Sequence, residues 1–275
     1  MIAQAESIDI SADEYHQRGE LSCSMLKVFM ESPKSYFRRF VAKVAPSCDS
    51  PSKRLGRLVH SAILEPKTLE RDCVRAPDSA LSNSGQRRGK QWDAFLQENE
   101  GKQILSPGEY DQVEAMFEAA YSNIDAKKLL LSKGEVEKTI LWQAQGANLR
   151  SRLDRLPPRY VADIKTGNFS TDSQFANGPY TSLRYYVQAA FYLDAAMSLD
   201  GELRQFAFIC IQSGEPYHCF VHCPLDEDIQ QGRDEYLAAI EMIRECEKSG
   251  DWRHDTEKQV SRRKMAEWNR QKNSF

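Results

Sequence analysis

The sequence predicts an α/β fold with a mainly helical N-terminal part and a core of about five strands. Up to residue 135 the apolar residues recur mostly at helical spacing, and from Val136 they alternate with polar residues as in strands. A long helical segment separates the first strand-like segments from the later ones, and another follows them. The predicted strands are 136–144, 148–154, 159–166, 203–212 and 217–223.

The composition is that of an ordinary globular domain. The chain has 275 residues, 41% hydrophobic and 28% charged, which is enough to bury a sizeable core. Its seven cysteines are odd in number and scattered, which favours reduced thiols and a cytoplasmic protein. Because no apolar run approaches about 18 residues and the N-terminus lacks a signal pattern, we expect neither a membrane span nor secretion. We divide this one domain into a loose lead-in, a helical part, an α/β core and a basic tail, over residues 1–20, 21–135, 136–250 and 251–275.

Basic residues are unevenly placed, although the net charge of −3 gives no overall signal for nucleic acid. The segment SNSGQRRGK (82–90) predicts an exposed basic loop. Two further clusters could contact DNA. The first is Lys34, Arg38, Arg39, Lys43, Lys53, Arg54 and Arg57, and the second is Arg253, Lys258, Arg262, Arg263, Lys264, Arg270 and Lys272.

Two helices of the N-terminal part carry polar residues that could bind a ligand. Ser22 or Ser24 can cap a helix that ends at Ser32–Pro33, and a hydroxyl at a helix N-terminus can instead hold a phosphate. A later helix ends at Pro66 and places Gly56 and His60 on one face. By itself, a histidine on an apolar helix is more often a core residue than a ligand. The other predicted helices lie at 36–40, 90–96, 106–132, 180–199 and 226–248.

A strand pair joined by a Pro-Pro turn, Asn148–Thr166, carries the most suggestive charges. Asp163 and Lys165 are two residues apart and lie on one face of their strand, and the hairpin partner can bring Asp154 beside them. Two carboxylates and a lysine in an otherwise buried strand are costly unless a metal ion or a substrate is bound. The carboxylates and the Ile164 carbonyl are hard oxygen ligands of the kind that Mg²⁺ prefers. Lys165 could orient or help deprotonate a metal-bound water, but the D-x-K pattern alone occurs often by chance.

Four motifs, in this order, resemble the PD-(D/E)xK nucleases of the restriction-endonuclease-like superfamily. They are GRLVH (56–60), SRLD (151–154), DIKT (163–166) and QAAFY (188–192). The histidine and glutamine helices are typical of the RecB-type branch. Further similarity at 21–36, 55–66 and 137–142 is to the RecE-type nuclease domains (exodeoxyribonuclease VIII). The resemblance covers roughly residues 20–250 and implies a mixed central sheet flanked by helices, with an N-terminal helical elaboration.

The resemblance implies a metal site. His60, Asp154, Asp163 and the backbone carbonyl of Ile164 would be the metal ligands, and Lys165 would be the catalytic lysine. Mg²⁺ would be the cofactor, with Mn²⁺ able to substitute for it. With these partners implied, the ligand interpretation of His60 becomes the favoured one.

Other residues acquire roles from the same resemblance. Gln188 and Tyr192 would support the site and the DNA backbone, with ordinary helix packing as the alternative. Glu137 matches an acidic position near a second metal ion or its water. Ser24 matches a hydroxyl that contacts the terminal 5′ phosphate of DNA.

The implied activity is 5′-to-3′ digestion of double-stranded DNA ends, which leaves 3′ single-stranded tails for annealing and recombination. The partners would be DNA ends and a RecT-like single-strand annealing protein, and the enzyme would be a ring-shaped homo-oligomer, a trimer or tetramer, of bacterial or phage origin. We expect no iron–sulfur cluster, because no set of four cysteines flanks the nuclease core, and no use of ATP, because the chain has no P-loop.

Three alternatives remain at this level. The protein could be an endonuclease of the same fold, or a catalytically idle DNA-binding protein that keeps the fold. It could also be an α/β interaction protein with a chance D-x-K pattern. Cutting of closed circular DNA would distinguish the endonuclease, and unchanged nuclease activity in an Asp163→Ala variant would show that the site assignment is wrong.

Overall fold

The computed structural model describes residues 5–45, 50–82 and 85–253. Nine strands lie in these ranges: β1 Glu6–Ile8, β2 Leu21–Ser22, β3 Cys73–Arg75, β4 Gln103–Leu105, β5 Glu135–Ala144, β6 Ala147–Leu156, β7 Tyr160–Gly167, β8 Gln205–Gln212 and β9 Cys219–His222. The helices are α1 Ala12–Gln17, α2 Cys23–Glu31, α3 Pro33–Tyr36, α4 Pro51–Leu64, α5 Pro66–Asp72, α6 Lys90–Glu98, α7 Pro107–Ser122, α8 Ile124–Leu131, α9 Asp172–Phe175, α10 Tyr185–Asp200 and α11 Asp226–Ser249. Single π-helical turns follow α3 (Phe37–Val41) and α9 (Ala176–Tyr180), and a short 3₁₀ turn spans Asp78–Ala80.

A seven-stranded mixed sheet forms the centre. Six strands follow the order β1-β5-β6-β7-β8-β9, and β2 pairs with β6. Strands β5, β6 and β7 are antiparallel neighbours, whereas β8 runs parallel to β7 because α10 provides the crossover between them. The predicted mixed α/β architecture is therefore confirmed.

Helices cover both faces of the sheet. On one face α2, α10 and α11 bury a cluster that includes Phe29, Phe191, Phe208 and Tyr236. On the other, α4, α7 and α8 pack over Ala162 and Ile164 of β7. Alternate residues of β7 thus point to opposite helix layers, which sends Asp163 towards α10 and Ile164 towards α4. Among the described helices, none is both long and apolar enough to cross a membrane.

The predicted lead-in contributes structure that its sequence did not indicate. β1 pairs with β5, β2 pairs with β6, and Ser11 caps α1 in a capping box with Glu14. The sheet consequently has seven strands where about five were predicted. Strands of two and three residues are too short to show alternation, so only their pairing with distant strands defines them.

Other element boundaries in the structure differ from the predicted ones for local reasons. The predicted helix 106–132 is divided at Asn123, whose side chain accepts hydrogen bonds from the amides of Asp125 and Ala126 and so begins a new helix. The long helix predicted from residue 180 starts at Tyr185, after a left-handed Arg184 (φ 51°), and the loop predicted at 167–179 contains α9. The polar region 71–108 adds the small β3–β4 sheet. Most of the basic C-terminal cluster, Cys48 and residues 83–84 of the predicted basic loop lie outside the described residues.

Candidate active site

The site residues predicted from the sequence meet where β6 and β7 separate. β5 pairs along the whole of β6 on one side. On the other side, β6 pairs with β7 at Arg155 and with β2 at Leu149 and Arg150. The edge of β6 between these two contacts opens into a cleft beside Asp154, and α2 begins at the end of β2 on the same cleft.

Asp154 connects the two separating strands. Its Oδ2 accepts a 2.7 Å hydrogen bond from the amide of Ile164 and lies 3.3 Å from Nδ1 of His60. Burial, followed by the charges of Asp163 and Glu137, raises the pKa of Asp154 well above its usual value. The ionised form of this carboxylate therefore needs a nearby positive charge.

His60 approaches the same atoms from α4. Its Nε2 lies 3.0 Å from the carbonyl oxygen of Ile164. Burial lowers the pKa of His60, so the neutral imidazole that a metal requires is favoured. Gly56 makes this approach possible, since a Cβ there would lie 3.3 Å from Oγ1 of Thr166 in β7.

Asp163 lies on the opposite side of β7, where α10 holds it. Gln188 donates a 2.7 Å hydrogen bond to Oδ1, and Lys165 forms an ion pair with Oδ2. Burial alone would lower the pKa of Lys165, but the charges of Asp163, Tyr185 and Asp154 together with the hydrogen bond to Asp163 outweigh it and raise that pKa above its usual value. In this state Lys165 is an ammonium ion, which can orient a water or neutralise a phosphate oxygen but cannot accept a proton.

Glu137 joins the site through an unusual backbone conformation. The pairs on either side of it, Val136–Arg155 and Lys138–Leu153, place it opposite Asp154, and its φ of 49° lies in the left-handed region. Such a conformation in a non-glycine residue is costly and is often found at functional sites. Arg152 forms an ion pair with the Glu137 carboxylate.

The donor atoms in this cleft fit a divalent cation. One ligand atom each from His60, Glu137 and Asp154 lie within 4.8 Å of one another. An imidazole and carboxylates are suitable ligands for a divalent ion, and a cation would stabilise the ionised form of Asp154, whose pKa is raised by burial and by the charges of Asp163 and Glu137. Of the predicted ligands, the structure brings His60, Asp154 and the Ile164 carbonyl together directly. Asp163, also a predicted ligand, is not part of this group of ligand atoms: it lies on the opposite side of β7, bound to Gln188 and Lys165.

A cavity of about 560 Å³ leads to this group. Ser24, Gln188 and Tyr192 line it, so all three predicted supporting residues face the same space as Asp154. Burial raises the pKa of Tyr192 well above its usual value, so its hydroxyl remains a neutral donor. A larger cavity, about 740 Å³, lies between α10 and α11, and none of the predicted site residues lines it.

Sequence reasoning missed several residues at the site. Lys27 of α2 lines the cavity one helical turn after Ser24, and Tyr15 and His16 of α1 form another wall. Tyr185, one turn before Gln188, contacts Lys165. Helical spacing from Ser24 and from Gln188 could have indicated Lys27 and Tyr185. No local pattern places α1 at the cleft, because it lies there only through the pairing of β1 with β5.

Comparison with known proteins identifies the family. Residues 22–264 match the sequence model of the PDDEXK-like domain of unknown function (DUF3799). The chain belongs to this family. The PD-(D/E)xK superfamily predicted from the four motifs is thereby confirmed, and membership supports a nuclease.

A solved structure agrees with this PDDEXK-like domain in fold. A protein from Eubacterium rectale, assigned provisionally as an exonuclease, superposes with a TM-score of 0.66 at 13% identity, over 95% of this chain and 98% of its own. The alkaline exonuclease of Laribacter hongkongensis is a more distant match, with a TM-score of 0.35 at 13% identity over 86% and 94% of the two chains. At such identities the first likeness shows the fold alone, and the second is too weak to add to it. No curated protein sequence matches.

Proposed function

We propose that this PDDEXK-like domain is a metal-dependent exonuclease that digests double-stranded DNA from its ends, 5′ to 3′, and leaves 3′ single-stranded tails. One observation carries the proposal: a histidine and two acidic residues, His60, Glu137 and Asp154, converge on one cleft of a PD-(D/E)xK fold, with the Lys165–Asp163 ion pair on the adjoining strand β7. Polarity and the preference for ends rest on the resemblance to RecE-type nuclease domains.

Mg²⁺ is the proposed cofactor, and Mn²⁺ should replace it. His60, Asp154, Asp163 and the carbonyl of Ile164 would hold the ion, and Glu137 is close enough to His60 and Asp154 to serve as a further ligand. When bound, the ion would polarise a phosphoryl oxygen and lower the pKa of a bound water.

The remaining residues orient the metal ligands and the substrate, and they offset negative charge. Gln188 fixes the orientation of the Asp163 carboxylate through its hydrogen bond. The Lys165 ammonium would orient the attacking water and offset the negative charge that develops on the phosphate. Tyr192, which lines the cavity as a neutral phenol, would donate a hydrogen bond to the DNA backbone.

We propose that Ser24 binds the terminal 5′ phosphate of the DNA. Ser22 caps α2, since its hydroxyl accepts from the amide of Met25, whereas Ser24 is exposed to the cavity with its hydroxyl 3.0 Å from that of Ser22. Lys27 lies one turn further along the same helix and lines the same cavity. A hydroxyl and an ammonium near a helix N-terminus suit a phosphate group.

We further propose ATP-independent digestion in the cytoplasm by a ring-shaped homo-oligomer, a trimer or tetramer, acting with a RecT-like single-strand annealing protein. A ring that encloses DNA would keep a nuclease on its substrate without a separate clamp. Sedimentation of the full chain tests the assembly, and co-purification with an annealing protein tests the partner.

The activity is tested with Mg²⁺ on linear and closed circular duplexes of the same sequence. We expect digestion of the linear DNA only, with label lost first from 5′ ends when each end is labelled separately. Equal cutting of the circle would identify an endonuclease. Binding without cleavage of either DNA would identify an idle DNA-binding protein and refute the proposal.

Replacing Ser24 with alanine is expected to reduce the preference for 5′-phosphorylated over 5′-hydroxyl ends on the order of tenfold, because one hydrogen bond to a charged group is lost. Initial rates on the two substrates measure this preference. Ser106→Ala is the control, since it removes a helix-capping hydroxyl that does not line the cavity and should lower stability by about 1 kcal/mol without altering the preference. An unchanged preference in the Ser24 variant would remove Ser24 from the phosphate site.

A further inference from the structure

Tyr185, the first residue of α10, contacts both Lys27, which lines the active-site cleft, and Lys165 of β7. The centre of its ring lies 4.6 Å from Nζ of Lys165 and 5.0 Å from Nζ of Lys27. Both distances are within the range of a cation–π interaction, which is stronger when the ammonium group is partly removed from water. One aromatic ring is therefore shared by two positive charges.

The ring itself is held in place. It stacks on Phe175, with 5.8 Å between ring centres and 19° between planes, and lies 5.7 Å from Phe208. The preceding residue, Arg184, adopts a left-handed conformation (φ 51°) and forms an ion pair with Glu235 of α11. A strained residue fixed by an ion pair sets the start of α10 and with it the position of Tyr185.

The two lysines differ in what else they contact. Lys165 has the Asp163 carboxylate, and its Nζ also lies 5.6 Å from the Phe208 ring. For Lys27, no carboxylate among the residues the structure describes lies within ion-pair distance, and burial lowers the pKa of its ammonium. The Tyr185 ring is thus the main partner of Lys27.

Metal binding would alter the balance of these contacts. Asp163 is a proposed metal ligand, so an ion at the site would compete with Lys165 for that carboxylate. The contacts of Lys165 with Tyr185 and Phe208 involve no metal ligand and would remain. We propose that Tyr185 is a positioning residue of the nuclease, whose ring retains the Lys165 ammonium beside the reacting phosphate while Asp163 binds metal, and keeps Lys27 beside it. The inference rests on the proposed function for its catalytic consequence and on the ring contacts for its structural part.

Lysine resonances test the ring contact without relying on activity. The full chain is labelled with ¹³C at lysine Cε, and the Lys27 and Lys165 signals are assigned from Lys27→Arg and Lys165→Arg variants. We expect upfield ring-current shifts of both signals in the wild type and in Tyr185→Phe. In Tyr185→Leu the Lys27 shift should be lost and the Lys165 shift reduced to what the Phe208 ring, 5.6 Å from its Nζ, produces. The Lys165 shift should persist when Mg²⁺ is added. An unshifted Lys165 signal, or one that returns to its ordinary position with Mg²⁺, would overturn the proposal.

Steady-state kinetics test whether the Tyr185 ring contributes to catalysis. Tyr185→Leu should lower kcat about tenfold or more while KM changes less than threefold, and Tyr185→Phe should stay within twofold of the wild type in both. Equal losses in the two variants would assign the role to the hydroxyl, and no loss in Tyr185→Leu would remove the role altogether, so either result refutes the proposal. Thermal unfolding of each variant excludes misfolding as the cause. If the wild-type protein cleaves no DNA, the proposed function fails, and the lysine spectra still decide whether Tyr185 holds the two ammonium groups.

Discussion

Replacing Asp154 with asparagine is expected to abolish DNA cleavage and, at the same time, to raise the melting temperature of the metal-free protein. The amide keeps an oxygen that can accept the hydrogen bond from the Ile164 backbone, so the strand geometry is retained. It removes a proposed metal ligand, which contributes several kcal/mol to phosphoryl transfer, and activity should fall on the order of 10³-fold or more. It also removes a buried negative charge that Asp163 and Glu137 repel.

The gain in stability should depend on pH in a defined direction. The pKa of Asp154 is raised in the folded state, so the unfolded chain loses this proton first as pH increases, and the wild type loses stability above the unfolded pKa of about 4. The difference in melting temperature between Asp154→Asn and the wild type should therefore widen from pH 5 to pH 8 in EDTA. Each kcal/mol corresponds to about 2–4 °C in a domain of this size.

A second acidic residue provides the matched control. Asp200 accepts hydrogen bonds from Arg204, which lower its pKa, so Asp200→Asn should reduce stability at neutral pH and leave cleavage intact. Added Mg²⁺ should raise the melting temperature of the wild type and of Asp200→Asn but not of Asp154→Asn. A melting temperature of Asp154→Asn below that of the wild type, in EDTA at pH 8, would show that the negative charge of Asp154 does not destabilise the folded protein.

Replacing Gly232 with alanine is expected to cause a large loss of stability through the addition of a single methyl group. Gly232 lies in α11 where this helix crosses α10, and a Cβ at this position would lie 2.5 Å from the carbonyl oxygen of Tyr186. Because the obstacle is backbone, no side chain can rotate away and the two helices must separate. Overpacking of this kind costs about 3 kcal/mol, or a fall in melting temperature on the order of 10 °C.

Activity should fall with stability in this variant, because Tyr186 lies two residues before Gln188, which holds Asp163. Gly108→Ala is the control: it lies in α7 with no atom within 4 Å of the added carbon, so it should stabilise the protein by up to about 1 kcal/mol. Thermal unfolding and cleavage rates compare the two variants below their melting temperatures. A Gly232 variant as stable as the wild type would mean that α10 and α11 pack less closely than described.

The sequence alone was enough to predict the order of elements and the superfamily. Alternation of apolar and polar residues identified β5, β6 and β7. β8 was recognisable as a short, nearly continuous apolar run, as expected of a strand that is buried on both faces. The motifs with His60, Asp154 and Asp163 were recognisable because their residue types and spacing are local properties. Their roles as ligands remain predictions.

Tertiary structure decided which residues share the cleft. Glu137 lies beside His60 and Asp154 because its own left-handed backbone conformation turns its side chain towards them from β5. Lys27 reaches the cleft because β2 pairs with the edge of β6 that β7 leaves free. Pairing between β2 and β6 joins residues more than a hundred positions apart, and two-residue strands carry no periodic signal, so local patterns could not predict it.

In physical terms, the sequence determined the chemistry available to this protein, since side-chain type and helical or strand periodicity are set by neighbouring residues. The fold decided the electrostatics, because the pKa values of Asp154 and Lys165 depend on burial and on charges brought together by long-range packing. It also decided that a single ring, Tyr185, would contact both Lys27 and Lys165, since these three residues belong to α10, α2 and β7 and meet only after the sheet has formed.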